Sequence, residues 1–223
     1  MDTKFTAFVP MKAHSERVPN KNIRSFNGSP LYSRIIQTLD KVEYIDEILI
    51  DTDSDVILKD APKYSDKVKV IKRIPELEGD FAPFLDILKY DMEQSKNNHY
   101  IQTHSTNPLL SAETIKSAIE YFFKSDHDSV FGASLVRSRL YDKDLKPMNF
   151  SMQDRLLRTQ DLPTIWEENS TLYIFNDDSF FGNNEHRLGK NCGAFEIPEI
   201  EAQDIDEEID FVIAELLDQK LNS

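Results

Sequence analysis

In the first 136 residues, five short apolar runs alternate with four segments of helical spacing, at intervals of roughly 25 residues. Few folds accommodate such a rhythm. Strands buried on both faces read as continuous apolar runs, and helices that cover them read with a period near 3.6. The runs are Phe5 to Pro10, Glu47 to Asp51, Val68 to Ile71, Tyr100 to Gln102 and Ser129 to Val136. Helical spacing falls at Leu31 to Leu39, Ser54 to Lys59, Ala82 to Met92 and Ser111 to Phe123. The pattern predicts an α/β fold with a doubly wound, mostly parallel sheet. Arg137 to Pro163 breaks the rhythm with polar, Met-bearing sequence and reads as a protruding arm or β-excursion. Ser170 to Asn176 returns as a strand, and Asp206 to Leu217 closes as a helix with Ile209, Val212, Ile213, Leu216 and Leu217 on an expected core face. No linker divides the 223 residues, so one domain over 1–223 is expected.

Composition narrows the function. Lys plus Arg total 26 against 40 Asp plus Glu, a formal charge of −14. Duplex nucleic acids and anionic membranes call for a basic footprint, so neither is an expected partner. A local basic pocket for a small anion is compatible with an acidic chain. The one cysteine, Cys192, allows neither an internal disulfide nor a Cys-rich metal site. Neither a signal peptide nor an apolar run long enough to span a bilayer is read, so a cytoplasmic protein is expected.

In open α/β sheets, ligands bind beyond the carboxyl ends of the strands. The segment after the first strand lies there and concentrates Lys12, Arg17, Lys21 and Arg24. Such donors suit phosphate oxygens. The same composition also fits a solvated charged loop. Neither GxGxxG nor GxxxxGK[ST] is present, which disfavours a dinucleotide-binding dehydrogenase and a P-loop NTPase. Asp204 and Asp206, two residues apart, would point the same way if extended while Ile205 packs inward. Two carboxylates suit Mg²⁺, which takes one or two of them plus phosphate oxygens. Alternatively, Asp206 caps the last helix. Asp51 and Asp53 form a second D-x-D, readable as a metal motif or as a strand end with Asp53 as a helix cap. His14 reads as a possible phosphate donor, His104 as a loop residue, and Cys192 as structural.

The segments Phe8-Val9-Pro10 and Ser15 to Asn22 (SERVPNKN) resemble the N-terminal motif of acylneuraminate cytidylyltransferases, relatives of CMP-sialic acid synthetase. The likeness continues in order through Ile50 to Ser54 (IDTDS), Arg73 to Asp80 (RIPELEGD), Gln102 to Leu109 (QTHSTNPL), Glu168 to Tyr173 (ENSTLY) and Asp204 to Asp210 (DIDEEID). Lys12 replaces the family's loop arginine, Ala13-His14 its glycine pair, and Glu16 its usual lysine. Two extra residues separate Gln102 from Pro108, and Leu110 replaces an arginine.

The resemblance implies a nucleotidyltransferase that uses CTP to form a CMP-activated acidic sugar and releases pyrophosphate. It implies nucleotide contacts from Pro10, Met11, Lys12, Ser15, Arg17, Lys21, Asp53 and Arg73. Lys12, Arg17, Lys21 and Asp206 would carry the chemistry. Gln102, Asn169 and Tyr173 would line the acceptor pocket, and Asp204 and Asp206 would hold Mg²⁺. It also implies a homodimer joined through residues 137–163. The acceptor is expected to be a nonulosonic acid such as N-acetylneuraminate, legionaminate or pseudaminate; a phosphonate or another acid is the alternative. Two rival readings are a metal-dependent glycosyltransferase using Asp51 and Asp53, and a non-catalytic nucleotide-binding relative.

Overall fold

The computed structural model describes residues 3–79, 81–153 and 155–221, so Asp80 and Asp154 of the segments above lie outside the described residues. The chain runs through β1 (Phe5–Phe8), β2 (Ser25–Phe26), β3 (Ser29–Pro30), α1 (Leu31–Asp40), β4 (Ile45–Thr52) and α2 (Asp55–Asp60). It continues with β5 (Val68–Lys72), α3 (Phe84–Gln94), β6 (His99–Thr103), α4 (Ala112–Lys124) and β7 (Ser129–Val136). The last part holds β8 (Ile165–Asn176), α5 (Asp177–Gly182), β9 (Cys192–Glu196) and α6 (Glu208–Leu221).

Seven strands form one sheet in the order β5-β4-β1-β6-β8-β7-β9. Within this sheet, among the described residues, only β8 pairs antiparallel, with β6 on one side and β7 on the other. Strand residues alternate between two buried faces, as a period of two requires. Ala7, Ile48, Ile50, Ile101, Leu172 and Ile174 point into one cluster with α1 and α4, capped by Ile36, Leu39, Ile115 and Ile119. Phe8, Leu49, Tyr100, Tyr173 and Phe175 point the other way, against Leu88 and Met92 of α3 and Phe180 of α5. The result is a sheet covered on both sides by helices, as the rhythm predicts. Ser54 and Ser111 start α2 and α4 by accepting hydrogen bonds from the backbone N–H of Ile57 and Thr114. Asp53 is therefore not the cap of α2.

α5 and β9 escape the sequence reading, as do the two-residue strands β2 and β3. α5 is six residues long and β9 only five, and the latter adds parallel to β7 at the sheet edge. Cys192 opens β9 and is exposed. β8 begins at Ile165, before the expected Ser170, and its first residues pair with the end of β7 from Ala133↔Glu168 to Val136↔Ile165. Residues 137–163 follow from this ribbon and carry exposed Leu145, Met148, Met152 and Leu156.

The closing helix is rotated from its expected setting. Phe211, Ala214 and Asp218 are buried, whereas Ile209, Val212, Ile213 and Leu216 are exposed. The rotation follows from what holds the helix at each end. Ile205 and Phe211 join Val18, Phe26, Leu31 and Ala214 in a separate apolar cluster. Asp218 pairs with Arg34 and accepts from Asn27 Nδ2 at 2.8 Å. Asn27 and Gly28, at φ 46° and 91°, make the two-residue turn between β2 and β3, a conformation that Asn-Gly adopts readily.

Candidate nucleotide site

The site lies where strand order reverses. β1 has β4 on one side and β6 on the other, both parallel to it, so the connections leave the sheet in opposite directions and open a crevice at their carboxyl ends. Beyond Phe8 the chain keeps bonding along β4, with Val9 N–H to Leu49 O at 3.0 Å and Met11 N–H to Asp51 O at 2.8 Å. The Asp53 carboxylate then accepts the Ala13 N–H at 2.6 Å. Asn20 takes the left-handed conformation at φ 57° and precedes a helical turn at Lys21–Ile23. Asn22 donates to Lys12 O at 2.9 Å and accepts from Ser105 Oγ at 2.7 Å, tying the loop to the segment after β6.

The basic loop meets the carboxyl-terminal aspartates. Val18 and Ile205 share the separate apolar cluster, which brings two segments almost 190 residues apart together. Arg17 Nη2 donates to Asp206 Oδ1 at 2.7 Å and Nη1 to Glu207 Oε1 at 3.4 Å. Lys21 Nζ donates to Ile205 O at 2.5 Å and stands 4.0 Å from Asp206 Oδ1. Burial lowers the Lys21 pKa, while Asp206 and Asp204 pull it back up. A cavity of about 340 Å³ opens here, lined by residues 10–12, 14–17, 21–22 and 104–106. Pro10, Met11, Lys12, Ser15, Arg17 and Lys21 all border it, as do His14, Glu16 and Asn22.

Asp206 does not cap α6. Asp210 Oδ2 accepts the N–H of Asp206 at 3.1 Å and of Glu207 at 2.7 Å, which leaves the Asp206 carboxylate for Arg17. Asp204 Oδ1 is buried and has no hydrogen-bond partner. Burial raises the Asp204 pKa, opposed first by a hydrogen bond from Thr106, and Asp206 adds to the rise. An orphaned carboxylate oxygen next to a second carboxylate fits a hard cation with few protein ligands. Among the described residues no cluster of three or more His, Cys, Asp or Glu is placed to bind a metal. The pair therefore fits Mg²⁺ with phosphate and water completing its shell, and does not fit an all-protein cage.

Asp51 lies at the end of β4, as the strand-end reading has it, and Arg73, expected at the nucleotide, is paired with it. Arg73 Nε donates to Asp51 Oδ2 at 3.0 Å and Nη2 to Asp51 O at 3.1 Å, and both residues are buried. Arg73 is not among the residues bordering the cavity. Burial raises the Asp51 pKa and Arg73 opposes it. Asp51 and Asp53 are thus each engaged separately, one by a guanidinium and one by a backbone N–H. They do not form a free metal motif.

At the end of β6 a second polar group gathers around Gln102 and Tyr173. The Tyr173 hydroxyl donates to Glu168 Oε1 and contacts Ser170 Oγ at 3.2 Å; burial, reinforced by the Glu168 bond, pushes its pKa up to about 12, so it remains a donor. Gln102 Oε1 accepts from Arg187 Nη1 at 2.8 Å, and its amide nitrogen lies 2.7 Å from His104 Nε2. Asn169 is elsewhere: it donates to Ser134 Oγ at 3.0 Å and accepts from Thr171 Oγ1 at 2.7 Å. Arg187 and Glu168 were not singled out from the sequence. Arg187 follows an irregular polar stretch with no motif spacing, and only its contacts with Gln102 and Tyr173 give it a place.

A family model described as "Cytidylyltransferase" matches residues 6–210. The chain belongs to the cytidylyltransferase family. Among curated cytidylyltransferases it is 30% identical to a CMP-N,N'-diacetyllegionaminic acid synthase of Campylobacter jejuni over 91% of this chain and 90% of the relative. It is 25% identical to a pseudaminic acid cytidylyltransferase of the same species over 96% of each chain. A solved CMP:2-keto-3-deoxy-manno-octonic acid synthetase complexed with CTP superposes with a TM-score of 0.70 at 13% identity, over 98% of this chain and 100% of that one. This last likeness concerns the fold. Membership in the family places the chain among nucleotidyltransferases, and no described helix is long and apolar enough to cross a membrane.

Proposed function

We propose that this cytidylyltransferase transfers CMP from CTP to the anomeric hydroxyl of a nonulosonic acid of the legionaminate or pseudaminate type. The single observation that carries the reading is the Arg17–Asp206 contact at the rim of one cavity. It puts phosphate-binding cations and cation-binding carboxylates within reach of one triphosphate. The names of the two relatives supply the acceptor class.

In the proposed reaction the acceptor oxygen attacks the α-phosphorus, forming a new P–O bond. The bond to the β-phosphate breaks, pyrophosphate departs, and the hydroxyl proton leaves to water or a carboxylate. Such transfer depends chiefly on positioning and charge stabilisation. Lys12, Arg17 and Lys21 hold the phosphates and offset the charge that builds on the leaving group. Backbone groups of residues 10–15 face the nucleotide, and Gln102 and Tyr173 orient the acceptor. Asp204 and Asp206 hold Mg²⁺, which supplies charge neutralisation at the phosphates when bound. Asp53 acts at one remove, by fixing Ala13 and hence the loop. A second copy of the chain docks through residues 137–163, where Leu145, Met148, Met152 and Leu156 stand exposed. The expected setting is the cytoplasm, where CTP is available.

Incubation with CTP, Mg²⁺ and a panel of 2-keto acids, read by mass spectrometry, tests the reading. The expected products are a CMP conjugate of one nonulosonic acid and an equal amount of pyrophosphate. Absence of any CMP conjugate across the panel contradicts it. Light scattering tests the dimer; a monomer at all concentrations refutes that part.

A further inference from the structure

Arg187 occupies the segment between α5 and β9. Its guanidinium carbon lies 3.4 Å from the centroid of the Tyr173 ring and 5.4 Å from that of Phe84. Nη1 donates to Gln102 Oε1 at 2.8 Å, and Nη2 reaches Glu168 Oε1 at 3.3 Å. A guanidinium has five N–H donors and no acceptor. The two contacts leave donors unused on a cation that is largely buried, its side chain 18% exposed. The Glu168 contact is long, and the same oxygen also accepts from Tyr173. Such a cation is set up to take a further planar anion, for which the guanidinium fork is the best side-chain match.

The same arginine decides the chemistry of its neighbours. Because it can only donate, the atom of Gln102 that faces it is the carbonyl oxygen. The amide nitrogen of Gln102 must then face His104. That nitrogen is a donor, so His104 Nε2, 2.7 Å away, accepts. The imidazole proton therefore rests on Nδ1. Burial, with Arg187 and Lys21 adding to it, holds the His104 pKa down to about 4, so the ring is neutral in ordinary buffers. His104 borders the cavity with Lys12 and Lys21, and its ring packs 6.1 Å from that of Phe84. No described protein group is hydrogen-bonded to Nδ1. A neutral N–H donor is thus fixed at the end of β6 next to the nucleotide cavity, with the Gln102 amide between its ring and a guanidinium with spare donors, and both groups flank Phe84.

We propose that Arg187 and His104 receive the carboxylate of the acidic acceptor, and that Arg187, acting through the Gln102 amide, holds His104 in the Nδ1-protonated form. The inference rests on the reading of the chain as a CMP transferase for an acidic sugar. It gives the residues by which the acid is told from a neutral sugar. Arg187 supplies the charge, and His104 supplies a directional donor that does not repel the phosphate-binding cations.

The test uses the full chain with Arg187→Met, Arg187→Lys and His104→Phe, the last keeping a ring against Phe84. With N,N'-diacetyllegionaminate as acceptor, Arg187→Met is expected to raise the acceptor KM about 30-fold or more while the CTP KM stays within about twofold. Arg187→Lys is expected to recover only part of the loss, because an ammonium lacks the fork. His104→Phe is expected to raise the acceptor KM about tenfold. Long-range ¹H–¹⁵N spectra of the parent should show His104 neutral and protonated at Nδ1, and Arg187→Met should mix the two tautomers. An unchanged acceptor KM in both Arg187 variants overturns the carboxylate role. A parent His104 protonated at Nε2, or a tautomer indifferent to Arg187→Met, overturns the positioning role. If the parent yields no CMP conjugate with any acid, the transferase reading fails, and the tautomer spectra still decide the positioning claim on the same protein.

Discussion

Arg73→Met keeps the length of the side chain, removes its charge, and is expected to destabilise the fold while leaving the CTP KM close to that of the parent. In the parent, Nε and Oδ2 of Asp51 are 3.0 Å apart with both side chains almost wholly buried. At an effective dielectric near 20, that separation corresponds to about 5.5 kcal/mol of attraction. Removing one partner of such a pair leaves a buried charge and costs about 3–5 kcal/mol. Asp91 adds to the problem: it is fully buried, neither of its oxygens has a partner, burial raises its pKa well above the usual carboxylate range, and Arg73 opposes that rise. For a chain of this length the loss corresponds to a fall in Tm of about 6–20 °C. The pH dependence has a definite sign. Without Arg73, burial and Asp53 push the Asp51 pKa further up. A carboxyl whose folded pKa exceeds its unfolded one favours the folded state at low pH and loses that benefit as pH rises through the folded value. The gap between variant and parent should therefore be widest near about pH 8 and narrow toward about pH 5. Thermal melts across that range, with the CTP KM measured alongside, check the reasoning. A variant that melts like the parent but binds CTP many-fold more weakly would refute it and make Arg73 a nucleotide contact.

Three further outcomes follow from the same geometry. Asp91→Asn removes a carboxyl whose ionisation burial disfavours, so it should raise Tm at about pH 8 and less at about pH 5; a larger gain at the acid end would contradict this. Asp206→Asn should cost about 100-fold or more in turnover, yet leave Mg²⁺-free CTP binding undiminished, because Arg17 loses its competing partner; parent-like turnover at low Mg²⁺ would remove the metal assignment. Phe211→Ala should destabilise by about 3–5 kcal/mol, whereas Ile209→Lys should stay within about 0.5 kcal/mol. Denaturant titration of both variants checks the rotation of α6, and the reverse order would place the helix as the sequence suggests.

The sheet was legible where each strand is buried on both faces. Ala7, Ile48 and Ile101 feed one layer while Phe8, Leu49 and Tyr100 feed the other, and such runs are visible without coordinates. β9 was not, because Cys-Gly-Ala-Phe-Glu at a sheet edge carries too little apolar signal. The α6 stripe misled because Ile209, Val212, Ile213 and Leu216 form a complete helical face, while the actual contact is set by Phe211 and by Asp218 with its partners on Arg34 and Asn27. At the site, the excess of cations after β1 and the two aspartates before α6 were readable as charge. Their meeting depends on Val18 and Ile205 packing together, which no local pattern reveals. Arg187 stayed hidden for a similar reason: it is defined by Gln102, Glu168 and Tyr173, residues that only the β6–β8 pairing brings near it.

The most direct test is the rate of pyrophosphate release from CTP, ATP, GTP and UTP in turn, each with Mg²⁺ and N,N'-diacetyllegionaminate or pseudaminate. Pyrophosphate formed from CTP well ahead of the other three, and only when the acid is present, is the result expected of a cavity in which Arg17, Lys21, Asp204 and Asp206 hold one cytidine triphosphate. No pyrophosphate from CTP with either acid, or equal rates from all four nucleotides, would contradict it.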